Sequence, residues 1–396
     1  NYFYPDLPQG YQISQYLDPI VGLGELEIEL EDESKKKIGV TRIHMEQDAG
    51  KLIHDQHPSL SFVDLNRSGI ALMEIVSEPD ISSPYEACQY VKKIRSIVRA
   101  IKTCDGDMEK GNLRCDANVS VRIKGSKELG TRCEIKNLNS ISNIQKAIQF
   151  EAKRQVEIIE NNGIINQETR LFDAVNNETR TMRSKEDAMD YRYFPDPDLP
   201  PLTISQDLVD SLKAELPELP DVKKERYMNE FKISNYDAGV LTSDSKISAY
   251  FEDLVKKHNP KLSVTWLTVE LLGRMNKLNL NFNNLPISSQ NLSELLDFID
   301  KGDISAKIAK EVLDLMFETG KNAAKIIEEK GLKQVSDDKA ITSMIETVLN
   351  ENPNKVTEYK SGKDKLFGFF VGQVMKASKG QANPGLVNKI LKEKLK

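Results

Sequence analysis

Long apolar runs and cysteine pairs are both missing from this sequence of 396 residues. No stretch approaches the roughly 18 uninterrupted apolar residues of a membrane helix, which excludes an integral membrane protein of that kind. The four cysteines are too few and too widely spaced for a disulfide framework or for the C-x-x-C pairs of a zinc ribbon. We therefore expect reduced thiols in a reducing compartment.

Motifs of several enzyme classes are also absent. The sequence has no Walker P-loop, no dinucleotide glycine fingerprint, no kinase signature set and no G-x-S-x-G elbow. Of its four histidines, His54 and His57 lack the i, i+4 spacing of a helical metal site, and His258 is distant in the sequence. The residues alone thus indicate neither a protein nucleophile nor a histidine-based metal motif.

Charge is distributed unevenly along the chain. The net charge of −6 argues against a protein that coats nucleic acid with its whole surface. Residues 353–396 nevertheless contain ten lysines against Glu358, Asp364 and Glu393, a local balance of +7. This basic end favours contact with a polyanion. The alternative is that lysines at a chain end only form a solvated surface.

The chain begins at Asn1, where aromatic residues run directly into Pro5, as in the middle of a domain. No signal peptide is visible, since no charged start precedes an apolar run. We expect that a segment precedes Asn1 and that the protein is cytoplasmic, with an organellar location left open.

Short segments of period two predict strands at residues 26–30, 38–45 and 117–123. Helical spacing of apolar residues predicts helices at residues 84–102 and 142–160, the first capped by Ser82 and Ser83. Strands and helices do not alternate regularly, which predicts an α+β fold with a mostly antiparallel sheet.

A proline-rich stretch from Pro195 to Pro220 marks a boundary, and the pattern beyond it is almost entirely helical. We predict a mostly antiparallel-sheet cradle domain at residues 1–213, followed by an all-α helical domain at 214–320 and a helical tail domain at 321–396.

Three predicted strands carry carboxylates beside cations on one face. In the first, Arg42, His44 and Glu46 share a face and lead into a turn with Lys51. Such a group suits Mg²⁺ and phosphate together, but it is also typical of a solvated edge strand.

The second strand places Arg114, Asp116 and Asn118 on one face, and the third does so with Arg132, Glu134 and Lys136. Opposed charges on a sheet also pair across strands for purely structural reasons. If the three strands converge, their polar faces form one site. The alternating pattern then directs Cys115 and Cys133 to the buried face, as expected for structural cysteines.

Residues 190–198 alternate aromatic and charged side chains and end in prolines. The pattern suits a rigid loop or an edge strand, in which the aromatic rings either stack on bases or anchor the loop by hydrophobic contact.

The same segments carry a family resemblance. The matching strings are NYFYPD at 1–6, GYQISQ at 10–15, RIHME at 42–46, DAGK at 48–51, DLNR at 64–67, EIVSEPD at 74–80, NLRCDAN at 112–118, EIKNLNS at 134–140, DYRYFP at 190–195, GQ at 372–373 and KASKGQANP at 376–384. In these strings the sequence resembles the B subunits of the aspartyl/glutamyl-tRNA amidotransferases (GatB) along its whole length.

The resemblance implies a ligase subunit that acts on Glu-tRNA(Gln), Asp-tRNA(Asn) or both. In this family ATP phosphorylates the side-chain carboxylate of the mischarged amino acid, and ammonia then displaces phosphate. The resemblance also implies ATP and Mg²⁺ as cofactors, and a heterotrimer with two partners: an amidase, which is the A subunit and supplies ammonia, and a small C subunit.

The resemblance and the shared strand faces together assign four groups of residues. They are the catalytic group Glu46, Asp116, Glu134, Lys136, His44 and Arg114; the cofactor-binding group Lys51, Asn137 and Asn118; the metal ligands Glu46, Glu134 and Gln47; and the tRNA-binding lysines Lys376, Lys379, Lys389 and Lys392. Gln47 stands where the family has glutamate, so a ligand there lacks the negative charge. The family's early metal-binding segment lies before Asn1.

Two other functions remain open from the residues. A non-catalytic tRNA-binding module explains the basic end, and the polar strand faces are then structural. An ATP-dependent ligase for free amino acids has no need of a polyanion-binding surface, so the basic end argues against it.

Overall fold

The computed structural model describes residues 2–3, 6–184, 195–282, 284–332, 338–378 and 382–395. The chain divides into two compact units, Asn1–Pro217 and Glu218–Lys396, each with its own hydrophobic clusters. Among the described residues, every helix is too short or too polar to span a bilayer. The boundaries at 213/214 and 320/321 stay predictions.

The first unit contains the strands and two long helices. Its elements are β1 Tyr2–Phe3, β2 Tyr11–Gln12, β3 Gly24–Glu29, β4 Lys35–Gln47, β5 Lys51–Ile53, β6 Phe62–Asp64, β7 Ala71–Ser77, α1 Pro84–Ala100, β8 Ala117–Val119, β9 Cys133–Lys136, α2 Ile141–Glu160, β10 Glu168–Asp173, β11 Glu178–Ser184 and α3 Gln206–Glu215. Together with the helical second unit, they confirm the predicted α+β class, with sheets that are mostly antiparallel.

A three-stranded antiparallel sheet, in the order β3-β4-β7, packs one face on α1. Ile38 of β4 and Ile75 of β7 both lie on this core side. Between Val40 and Arg42 the pairing of β4 with β7 slips by one residue. Such a bulge reverses the alternation of side chains. Ile43, paired with Ile75, therefore continues the core side.

The bulge decides where the polar side chains of β4 lie. With unbroken alternation, Arg42, His44 and Glu46 would share the core face of Ile38. Because of the slip, they lie on the face that is turned away from α1. There they are neighbours of the β7 side chains that also point away from α1.

The second sheet has the order β11-β10-β9-β8, with β9 and β10 parallel and the other pairs antiparallel. Ile135, Val119 and Phe172 face the core formed with α1 and α2. Strand β8 ends at Val119 rather than at residue 123, because its partner β9 pairs only from Cys133 onward. The Val119 carbonyl instead accepts a hydrogen bond from the Gln155 side chain of α2.

Both long helices begin after a capping serine, and the cap of α1 is one of the two predicted serines. Ser83 Oγ accepts from the Glu86 amide at the start of α1, and Ser140 Oγ accepts from the Asn143 amide at the start of α2. These caps satisfy amides that have no partner within the helix. The helices lie within two residues of their predicted ranges.

A fully buried carboxylate joins α2 to the second sheet. Glu151 accepts hydrogen bonds from Arg154, Gln155 and Thr179, and it lies 3.2 Å from Arg170 Nε. Burial alone disfavours the charged carboxylate, but these donors outweigh that cost and lower the pKa of Glu151. The charge is therefore retained in the core and fixes β10 and β11 against the helix.

The second unit is helical. Its elements are α4 Pro220–Phe231, α5 Asn235–Thr242, α6 Ser245–Val255, α7 Pro260–Val264, a π-helical segment Thr265–Leu271, α8 Leu272–Lys277, α9 Ser289–Asp300, α10 Ala306–Thr319, α11 Ala323–Lys330, α12 Asp338–Asn350, α13 Pro353–Lys360, α14 Leu366–Ala377 and α15 Pro384–Lys394.

Two separate hydrophobic clusters stabilise this unit. The first extends from α4 to α11 and includes Ile326 and Ile327, while the second is formed by α12, α14 and α15 around Phe370 and Leu391. Helix α11 thus belongs to the first cluster, and residues 333–337, between the clusters, lie outside the described residues.

We predict that Glu151→Gln lowers the free energy of unfolding by about 3–5 kcal/mol, because it removes the buried anion between Arg154 and Arg170 and leaves them only Glu168 as a counter-charge. The measurement is chemical denaturation of the chain. A carboxylate with a lowered pKa stabilises above its unfolded pKa and loses this effect as the pH falls through its folded pKa, so the difference from wild type shrinks in acid.

The matched control is Glu157→Gln on the same helix, where an exposed carboxylate lies 3.7 Å from Lys153. This change should alter stability by less than about 1 kcal/mol. Equal effects of the two substitutions would contradict the role assigned to the buried network.

Candidate active site

Three side chains converge on the outer face of β4 and β7. His44 and Glu74 are directly paired across the two strands. His44 Nε2 lies 3.2 Å from Glu46 Oε1 and 3.3 Å from Glu74 Oε2. One ligand atom from each of the three residues lies within 4.8 Å of the others, which makes them a group able to hold a metal ion.

Hydrogen bonds define which ring nitrogen of His44 accepts and which one faces the carboxylates. Arg42 Nε donates to His44 Nδ1 at 3.3 Å, and a guanidinium only donates. In a neutral ring Nε2 therefore carries the proton and faces the two carboxylates. Ser14 Oγ donates to the same oxygen of Glu46, Oε1, at 2.9 Å and helps to fix that carboxylate.

The electrostatics of this group favour an added cation. Partial burial and the neighbouring Glu46 carboxylate raise the pKa of Glu74, and Asp116 contributes in the same direction. His44 and Arg42 only partly oppose this effect. The carboxylate oxygens of Glu46 and Glu74 match the ligands that Mg²⁺ prefers, whereas imidazole nitrogen suits softer metals.

A second polar group lies on β9 and the segment before β8. Lys136 Nζ donates to Asp116 Oδ2 at 2.8 Å and lies 3.5 Å from Glu134 Oε1. Burial alone would lower the pKa of Lys136, but the hydrogen bond and charge of Asp116, with Glu134, raise it. Lys136 is therefore a cation at neutral pH. Asp116 belongs to this group and also acts electrostatically on Glu74, which links the two groups.

Asp48 connects the end of β4 with the segment that precedes Asp116. Its buried carboxylate accepts from Arg67 Nε at 2.9 Å and lies 3.3 Å from Arg114 Nη2. Arg67 also donates to the carbonyls of Lys110 and Gly111. The predicted catalytic Arg114 is thus bound by Asp48 and by the Gly111 carbonyl.

The remaining predicted cofactor-binding and metal-binding residues lie on strands or directly after one. Gln47 follows Glu46 on β4, and its side-chain oxygen accepts from Gln9. Asn118 is exposed and pairs with Glu134 across β8 and β9. Asn137 adopts a positive φ of 68° and donates to the Phe172 carbonyl. Lys51 is exposed on β5.

Of the predicted metal ligands, therefore, Glu46 belongs to the group around His44. Glu134 contacts Lys136 and Thr169 instead, and Gln47 contacts Gln9. Among the predicted tRNA-binding lysines, Lys376 is exposed in the last turn of α14, and Lys389 and Lys392 are exposed on α15. Lys379 and residues 190–194 lie outside the described residues.

The cysteines have the surroundings of structural residues. All four are free, and Cys133 is completely buried. Burial raises the pKa of Cys115 to about 12, so its thiol is not ionised at neutral pH. Cys115 and Cys133 are therefore unsuited to nucleophilic catalysis.

Sequence reasoning did not assign Glu74, Ser14 or Thr169. Glu74 is opposite His44 only because of the register between distant strands. Ser14 and Glu46 belong to segments 32 residues apart. The one available signal was that Ser14 and Glu74 lie in strings that carry the family resemblance.

Comparison with known proteins gives a consistent result over nearly the whole chain. Residues 1–210 match the family model described as "GatB/GatE catalytic domain", and residues 249–395 match the one described as "GatB domain". The chain is 60% identical over 395 residues to proteins from Wolbachia pipientis subsp. Culex pipiens and Rickettsia rickettsii, each named as the B subunit of an aspartyl/glutamyl-tRNA(Asn/Gln) amidotransferase. Each match covers 100% of this chain and 82% of the relative.

We predict that the double substitution Glu46→Gln and Glu74→Gln weakens binding of a divalent cation at least tenfold, because it removes both anionic ligands. Electron paramagnetic resonance with Mn²⁺ as the probe measures the affinity. The control is Glu78→Gln, a carboxylate just beyond β7 that accepts from Thr41. Unchanged Mn²⁺ binding by the double variant would exclude this group as the cation site.

Proposed function

Because the chain belongs to the family of B subunits of the aspartyl/glutamyl-tRNA amidotransferases, we propose that its first unit activates a tRNA-bound side-chain carboxylate with ATP and then amidates it. The membership itself confirms the resemblance read from the sequence. The chain is a subunit of a tRNA-dependent amidotransferase, a heteromeric complex of the ligase type.

The proposed reaction has two steps. A side-chain carboxylate oxygen of Glu-tRNA(Gln) or Asp-tRNA(Asn) attacks the γ-phosphorus of ATP, which gives an acyl phosphate and ADP. Ammonia then attacks the acyl carbon, the C–O bond to phosphate breaks, and the amide and inorganic phosphate leave. Neither step needs a protein nucleophile, because both depend on positioning and on stabilisation of negative charge.

The observation that carries the proposal is the pair of neighbouring groups on the open strand faces, one anionic and one centred on a lysine. Glu46 and Glu74 would hold Mg²⁺ through carboxylate oxygens. When bound, this ion neutralises phosphate charge. His44 supports the two carboxylates through Nε2–H, and Arg42 fixes the tautomer.

Lys136 supplies a fixed positive charge beside the anionic group. Its raised pKa keeps it protonated while negative charge develops on the reacting oxygens. Asp116 and Glu134 hold its ammonium group in place. Arg114 acts through Asp48 by fixing the segment that carries Asp116. Lys51, Asn118 and Asn137 remain proposed ATP contacts on the strength of the resemblance.

We further propose that the amidase, as the A subunit of the complex, supplies ammonia and that a small C subunit completes the assembly. The four thiols are free; those of Cys88 and Cys133 are buried and that of Cys115 is not ionised, which supports assigning glutamine hydrolysis to a partner. They also agree with a reducing compartment such as the cytoplasm.

The alternative of a non-catalytic tRNA-binding module predicts that the polar groups are structural only. The alternative of a ligase for free amino acids predicts ATP turnover without tRNA. The assembled complex, assayed for ATP hydrolysis with and without mischarged tRNA, distinguishes all three functions.

We expect Glu134→Ala to abolish ATP-dependent amidation of mischarged tRNA, because it removes a carboxylate that holds Lys136 on the polar face. Glutaminase activity of the complex should be unchanged. The assay measures amidated tRNA and released glutamate in parallel. Amidation near the wild-type rate would remove Glu134 from the catalytic group.

The second cluster of the helical unit is the proposed docking module for tRNA. We expect the triple change of Lys376, Lys389 and Lys392 to alanine to raise the KM for tRNA and to reduce the slope of log K against log salt by roughly 2–3, about one per lost phosphate contact. Base sequence should have no influence on this loss.

The matched control replaces Lys363 and Lys394 by alanine, since these lysines already form ion pairs with Glu358 and Glu346. Deletion tests should begin after Leu332, because α11 belongs to the first cluster. If the triple variant binds tRNA with the wild-type salt dependence, the lysines are only surface charge.

A further inference from the structure

We propose that Thr169 is a positioning residue for the amidation reaction, because its buried hydroxyl fixes the carboxylate of Glu134. The inference rests on the proposed function and adds a residue that neither the sequence pattern nor the family match assigns. It starts from the parallel pairing of β9 with β10, which places Thr169 directly beside Glu134.

The contact is direct and shielded from water. Thr169 is 1% exposed, and its Oγ1 lies 3.0 Å from Glu134 Oε2. An ionised carboxylate only accepts hydrogen bonds, so the hydroxyl donates. A hydrogen bond to a charged group is stronger than one between neutral groups.

The backbone that carries Thr169 is held firmly from behind. The next residue, Arg170, points to the opposite face, where it contacts the buried Glu151 and donates to Thr179 and Thr181. A second slip in strand pairing occurs at this point, between β10 and β11. The extra residue, Met182, belongs to β11, so β10 keeps the regular alternation that directs Thr169 and Arg170 to opposite faces.

Thr169 is also stiff in itself, since a β-branched side chain has few rotamers about its first torsion. With Oε2 held by this hydroxyl, Glu134 keeps Oε1 at 3.5 Å from Lys136 Nζ. Lys136 meanwhile keeps its shorter contact with Asp116 at 2.8 Å. Loss of the hydroxyl removes the donor to Oε2, so the carboxylate of Glu134 shifts relative to Lys136 and alters the contact of the ammonium with Asp116.

A positioning role for Thr169 predicts a specific kinetic effect. Loss of the hydroxyl should lower kcat for amidation, because the charge on Lys136 is then misplaced in the transition state. It should leave the KM for tRNA and the glutaminase activity unchanged, because the proposed tRNA contacts are lysines of the helical unit and the proposed glutaminase is the A subunit.

The test uses the assembled complex with Thr169→Val, Thr169→Ser and Glu134→Ala. Valine keeps the shape and removes the donor, and we expect kcat to fall roughly tenfold or more. Serine restores the donor, and its kcat should stay within about threefold of wild type. The control is Thr242→Val in α5, a buried threonine whose hydroxyl donates to the Ala238 carbonyl away from the polar strands; it should leave kcat unchanged.

The outcomes distinguish a failure of the positioning role of Thr169 from a failure of the proposed function. If Glu134→Ala is inactive while Thr169→Val has wild-type kcat, the positioning role is overturned and the proposed function stands. If Glu134→Ala is active, the proposed catalytic group itself is wrong. If the valine variant does not fold, Thr169→Ala against Thr169→Ser isolates the hydroxyl, and equal kcat values for these two variants overturn the inference.

Discussion

The buried carboxylate of Asp48, held between two guanidinium groups, is the interaction on which the arrangement of the polar face depends. Arg67 approaches it at 2.9 Å and Arg114 at 3.3 Å. An uncompensated charge at such a position is strongly destabilising, so the three side chains hold one another in place. Asp48 follows Glu46 by two residues, and Arg114 precedes Asp116 by two. The ion pair therefore sets the distance between the anionic group on β4 and β7 and the lysine-centred group on β9.

The course of two strands completes this arrangement. The slip after Val40 turns the polar half of β4 away from the core, and the regular alternation of β10 directs Thr169 and Arg170 to opposite faces. Each sheet thus keeps an apolar face on α1 or α2 and presents a polar face beside the other group. The network around Glu151 anchors the core side of the second sheet. This stability helps to hold the polar side chains on the other face of the sheet in position.

Local patterns were sufficient to predict much of this fold. Helical spacing located α1 and α2, a serine cap marked the start of α1, and period-two spacing grouped Arg42 with His44 and Glu46. What local patterns do not contain is pairing between distant strands. The position of Glu74 opposite His44, the end of β8 at Val119 and the contact of Thr169 with Glu134 all depend on register. The family resemblance identified the function, but it did not show that Arg114 is bound to Asp48.

The central claim is that the substrate carboxylate is activated by phosphorylation on this polar face. The most direct measurement labels the side-chain carboxylate of the tRNA-bound amino acid with ¹⁸O and follows the label by mass spectrometry during amidation by the assembled complex. Our account predicts ADP as the nucleotide product and one ¹⁸O atom in inorganic phosphate for each amide formed, since the carboxylate oxygen leaves with phosphorus. Label in AMP, or unlabelled phosphate, would contradict it.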